Sequence, residues 1–106
     1  MPAFQNDDER AAWTLAESLM DTARTMMGQA ESALESFLAG KELNRQQCSQ
    51  RGIGATDAEI RWSSTFHAQR ALSDNSFNVT QAMMYYAAAA ANYSRAACLR
   101  SQSTLR

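Results

Sequence analysis

"AMMYYAAAAANYSRAA", Ala82 to Ala97, is the stretch on which the reading of the fold turns: eight alanines, two methionines and three tyrosines, with Arg95 its one charge. Five consecutive alanines, Ala87–Ala91, place small side chains on every face of a helix for more than one turn. Such a segment gains little from burying side chains. It suits a helix crowded on more than one side, where backbones approach closely and large residues sit above and below. Met83, Met84, Tyr85, Tyr86 and Tyr93 are those large residues. A tyrosine hydroxyl needs an outlet, so the tyrosines belong where a buried surface meets water or a partner. One hairpin of two helices cannot crowd a helix on several sides. The stretch therefore implies a three- or four-helix bundle, or copies that assemble.

Moving toward the N-terminus, Leu72, Val79, Met83, Tyr86, Ala90, Tyr93 and Ala97 share one 3–4 register. That register crosses "SDNSFN", Ser73–Asn78, which is poor helix sequence. The segment reads either as a turn, with Asn78 capping a fresh helix, or as part of a continuous or kinked helix; the phase favours continuity. Before it, Ala58, Ile60, Trp62, Phe66, Ala71 and Leu72 supply apolar positions, and Thr56-Asp57-Ala58-Glu59 matches a capping box. "RGIGAT", with Gly52 and Gly54, is the clearest break in the chain and the expected main reversal.

The first half opens on Asn6, a capping residue, followed by Asp7, Asp8 and Glu9 at the positive end of a helix. Ala12, Ala16, Leu19, Ala23, Met26, Ala30, Ala33 and Phe37 then follow at alternating steps of four and three, a heptad seam. Trp13, Met20, Met27 and Leu34 run beside it at sevens and widen the apolar face. Gly40 reads as an end or a kink. Good helix formers dominate, β-branched residues are scarce, and the only proline is Pro2. The fold class expected is all-α: a long antiparallel helical hairpin elaborated into a three- or four-helix bundle. It forms a single domain over residues 1–106, with a tail at 1–6, a first arm at 7–51 and a second arm at 57–104 that has a possible break at 73–78.

Composition narrows function. Ten basic residues against eleven acidic ones leave a net charge of −1, with no general attraction to nucleic acid or anionic membrane. The start, "MPAFQNDDER", lacks the apolar segment of a signal peptide, and the alanine-rich window is too weakly apolar to insert. The expected location is the cytoplasm, without membrane contact. Cys48 and Cys98 form neither a CxxC nor a disulfide framework, and their separation along a hairpin argues against a bridge within one chain. His67, the only histidine, has no Glu-x-x-His pattern and reads as a partly exposed polar residue. No phosphate-binding glycine loop is present. No catalytic residue, metal ligand or cofactor is expected.

The leading reading is a non-enzymatic helical interaction module. It binds a protein partner, assembles with itself, or both, in the manner of small inhibitors or adaptors carried by phages or mobile elements. The expected partner-binding residues are Met84, Tyr85, Ala89, Tyr93 and Arg95. Methionines on apolar faces suit adaptable binding surfaces, although gap-filling in a core is their commoner use. A second reading is a small-ligand, nucleotide-like binding or sequestering oligomer using tyrosine and arginine side chains; Arg61, Arg70, Arg95, Arg100 and Arg106 fall in the second half with Trp62, Phe66 and Tyr93.

Overall fold

A computed structural model describes residues 3–104; Arg106 and the first two positions of the expected tail lie outside the described residues. Among the described residues there are three α-helices and no strand: α1 (Asp7–Gln50), α2 (Ala55–Ser63) and α3 (Phe66–Thr104).

The start of α1 follows from its first residues. Asn6 Oδ1 accepts the Glu9 N–H at 2.7 Å, and the Glu9 carboxylate reaches back to accept the Gln5 N–H at 2.7 Å. This reciprocal pair satisfies orphan donors of the first turn, where Asp7, Asp8 and Glu9 also oppose the helix dipole. At the other end Gly52 takes φ +78°, the left-handed region. The Gly52 N–H donates to Ser49 O at 3.0 Å and the Ile53 N–H to Cys48 O at 2.9 Å, the paired bonds of a Schellman cap. A side chain at that φ is strained by about 1–2 kcal/mol. Gly52→Ala should therefore lower unfolding stability by roughly that amount, read as a fall in the urea midpoint at constant slope.

The Thr56–Glu59 capping box does not form. Gly54 is the N-cap of α2 without any side-chain cap bond, and the Ala58 N–H already donates to Gly54 O at 3.0 Å. The chain re-enters the helix as soon as it leaves the Gly52 turn, which places Thr56 inside the first turn. Glu59 pairs instead with Lys41 at 3.2 Å. The interruption of the second arm also falls elsewhere than 73–78. It lies at Ser64–Thr65, where Thr65 Oγ1 caps α3 by accepting the Ala68 N–H at 3.1 Å. Through Ser73–Asn78 the helix is unbroken. Asn78 Nδ2 donates to its own helix at Asp74 O, and Asn75 Nδ2 donates across to Ala30 O, each at 2.8 Å. Residues with poor helix propensity are thus held by hydrogen bonds, one of them tertiary.

Packing resolves into two compact units, one within Met1–Met26 and Thr80–Arg106, the other Met27–Val79. In the first, α1 and α3 run antiparallel: Trp13 meets Tyr93 edge-on with centroids 4.9 Å apart, and Arg100 Nε lies 4.0 Å from the buried Glu9 carboxylate. Phe4 packs on Trp13 at 6.3 Å and extends this aromatic group. Ala12, Ala16 and Ala23 of α1 and Ala82, Ala89 and Ala96 of α3 are buried. Only these two helices contribute to the unit, so an alanine with no exposure has to face the other helix. Rows of alanine permit close approach, toward the short end of the usual ~8–10 Å between axes.

In the second unit Ala30, Cys48, Ala58, Trp62, Ala68 and Ala71 are buried. Asn44 Nδ2 donates to Ala58 O at 2.8 Å and so ties α2 to α1. Gly40 neither ends nor breaks α1. A Cβ placed on it would lie 2.8 Å from Cζ2 of Trp62, so its missing side chain is the seat of the indole. Phe37 and His67 flank that indole, with centroids 5.7 and 5.5 Å away.

The buried register of α3 differs from the expected one. The buried positions are Ala68, Ala71, Ala82, Ala89 and Ala96, with half-buried Asn75 filling the heptad step between Ala68 and Ala82. In the expected set Met83 is 63% exposed, and Leu72, Ala90 and Ala97 are exposed as well. Val79, Tyr86 and Tyr93 are half-buried beside the seam. The physical cause is size: two helices approach most closely on their smallest side chains, which pushes the larger apolar residues to the flank.

Candidate functional site

The five expected partner-binding residues do not form one face. Ala89 has no exposure and lies in the helix seam, where no partner reaches it. Tyr93 is half-buried against Trp13. Tyr85 is half-buried, whereas Met84 is 61% exposed and Arg95 exposed. At 100° per residue Met84, two positions after Ala82, lies roughly opposite the Ala82–Ala89–Ala96 row, whereas Arg95, one position before Ala96, lies to its side.

What gathers instead lies on one side of α3 within the first unit. Met83, Ala87, Ala90, Ser94, Ala97 and Ser101 are all exposed and none is charged. Half-buried Tyr86 and Tyr93 border this row. The sequence signal was present, since Met83, Ala90 and Ala97 belonged to the 3–4 register noted above. Those three members face outward, while Val79, Tyr86 and Tyr93 of the same register lie half-buried beside the seam.

The tyrosine–arginine ligand reading meets a different arrangement. Arg70 Nε lies 4.0 Å from Asp74 of its own helix, and Arg100 from Glu9. A shallow groove of about 260 Å³ in the second unit is lined by Leu38, Lys41, Glu42, Arg45, Ala55 and Glu59, without a tyrosine. Its charges are mutually engaged: Arg45 grips Glu42 through two hydrogen bonds of 3.0 and 2.6 Å, and Lys41 holds Glu59. The Arg45 hydrogen bonds hold the Glu42 carboxyl below the usual carboxylate range.

His67 is exposed, with Nε2 3.4 Å from Ser36 Oγ and its ring against Trp62, a position at the α2–α3 junction. Cys48 and Cys98 are free thiols, buried and exposed respectively. Among the described residues no group of three or more His, Cys, Asp or Glu side chains is placed to hold a metal, and no helix is long and apolar enough to cross a membrane. Compared with protein-family models, curated proteins and solved structures, the chain matches none, so its functional reading rests on its own residues.

Proposed function

We propose that the chain is a non-enzymatic helical interaction module that works by assembling, in the first place with copies of itself. The observation that carries this reading is the composition of its core: among the described residues the seven core positions with exposure of 1% or less are all alanines. Burying a methyl group contributes on the order of 0.8 kcal/mol, against ~1.5–3 kcal/mol for a leucine, phenylalanine or methionine side chain. Among the described residues ten large apolar side chains are exposed, where they contribute least to the isolated chain, among them Phe66 at 76%, Phe77, Ile60, Leu43, Met83 and Met84.

In this reading Gly52–Gly54 is the main reversal of the chain. The three- or four-helix bundle expected from the alanine run is then completed by a second copy, two helices from each. A role as a small adaptor or inhibitor follows if the same apolar faces can exchange self-contact for another protein.

Sedimentation velocity on the purified chain tests the reading. A mass that is a multiple of 11.7 kDa and falls on dilution is expected. A monomer at every soluble concentration, with unchanged helix content, would refute self-assembly.

A further inference from the structure

We propose that Trp13, backed by Tyr93, is a docking seat for an aromatic side chain carried on an extended segment of a partner protein, and that Phe4 is the chain's own placeholder in that seat. The proposal rests on the interaction-module reading above and names the chemistry that one part of its surface takes.

The residues just before α1 are not helical, yet Phe4 is half-buried. Its ring lies 6.3 Å from that of Trp13 and is tilted by 56° to it, and Trp13 meets Tyr93 of α3 edge-on at 4.9 Å. The Arg10 guanidinium stands over the Phe4 ring, 5.7 Å from its centroid. Beside the ring, the Gln5 N–H donates to the Glu9 carboxylate at 2.7 Å. Glu9 is a fixed acceptor: it is 3% exposed, and its other oxygen lies 4.0 Å from Arg100 Nε. An aromatic anchor set on aromatic side chains, with a main-chain N–H held beside it, is how a protein surface grips an extended peptide. The resident segment thus shows what the seat accepts. Ring-on-ring contact and a guanidinium above the ring favour an aromatic anchor over an aliphatic one.

Ordinary packing at a helix start does not account for this ring. A hydrophobic staple joins the residue before the cap to the fourth residue of the helix. With Asn6 as the cap those positions are Gln5 and Arg10, both polar. Phe4, one residue further out, passes over them to Trp13. These contacts of Phe4 and Gln5 run to Glu9, Arg10 and Trp13, within the first two turns of α1. The contacts of Trp13 with Tyr93 and of Glu9 with Arg100 join α1 to α3 without the Phe4 ring. Phe4 is therefore free to leave while the helices stay paired, and its departure bares the part of the indole that it covers. On its short tether Phe4 competes at an effective concentration on the order of mM. A second copy offers the same ring without the tether and does not displace it, so the occupant is a different protein that adds contacts of its own.

The test uses the full chain with isotope-labelled tryptophan indoles, whose N–H signals report Trp13 and Trp62 separately; the Trp13 signal is the one that Trp13→Phe removes. The probe is N-acetylphenylalaninamide, with N-acetylleucinamide as its aliphatic counterpart. Phe4→Ala should keep its helix content and the position of the Trp62 signal. In that variant the phenylalanine probe should move the Trp13 signal saturably, and more than the leucine probe does, while leaving Trp62 in place. Wild type should need more probe for the same shift, and adding Tyr93→Ala to Phe4→Ala should abolish it. Phe4→Leu, which keeps an apolar side chain, should respond between the two. A Trp13 signal in Phe4→Ala that the probe does not move would overturn the seat. Equal shifts in wild type and Phe4→Ala would overturn the placeholder. Loss of helix content in both Phe4→Ala and Phe4→Leu would make Phe4 part of the fold and overturn the proposal as well. The shift is read chain by chain, so a wild-type monomer in sedimentation would refute self-assembly without deciding this result.

Discussion

Trp62→Ala is expected to lower stability by about 3–5 kcal/mol, the range for removing a large buried aromatic side chain. For a domain of this size that corresponds to a fall in Tm of at least ~12 °C. Trp62 is the one large aromatic side chain that is buried, at 7% exposure, and it holds α1, α2 and the first turn of α3 together through Gly40, Phe37 and His67. The seat can be tested from the other side. Gly40→Ala would gain up to ~1 kcal/mol of helix propensity in an ordinary helix interior. Here the added Cβ would lie 2.8 Å from Cζ2 and 3.1 Å from Cζ3 of the indole, so overpacking of roughly 1–3 kcal/mol wins. Combining Gly40→Ala with Trp62→Phe should cost less than the two single changes together, because the smaller ring clears the new methyl. Trp62→Phe also removes an indole N–H that is buried and reaches no protein acceptor. Thermal unfolding of the three variants decides the matter. A Gly40→Ala protein more stable than wild type would show that the indole does not occupy that seat.

The second large effect is expected at the alanine seam of the first unit. Ala89→Leu places a branched side chain at a position with no exposure, opposite a helix that also offers alanine. The helices have to separate or the leucine has to leave its preferred rotamer, and a cost at the upper end of about 1–3 kcal/mol follows. Ala11→Leu is the same change on an exposed position of α1 and should stay within ~0.5 kcal/mol of wild type. Equal melting temperatures for the two variants would mean that the seam is not closed at Ala89.

Several features of this protein were legible from local residues alone. Helical character follows from composition, because few residues favour anything else. The start of α1 follows from Asn6 and its acidic neighbours, since a cap is a contact between residues three apart. The break at Gly52 follows from a backbone conformation that glycine adopts without strain. The α1 seam was readable too: Ala16, Ala23 and Ala30 recur among larger residues, so the small positions have a phase.

Tertiary structure decided the rest. In α3 the run Ala87–Ala91 is small all round and carries no phase of its own. Only the opposing alanines of α1 determine that Ala89 turns inward and Ala90 outward. A reading drawn to the largest apolar residues, Met83 and Tyr86 among them, lands one position off, on the flank, because close approach of two backbones excludes large residues from the line of contact. Thr56 is a plausible cap in isolation, but Gly54 is the N-cap of α2, because the return from the Gly52 turn has already restarted the helix before Thr56. Gly40 is a helix breaker by propensity and a seat for Trp62 in the fold, and only an indole arriving from α2 distinguishes the two. Asn75 likewise disfavours a helix locally, yet its amide reaches the Ala30 carbonyl of α1, and a hydrogen bond between residues so distant in the chain exists only once the helices have paired.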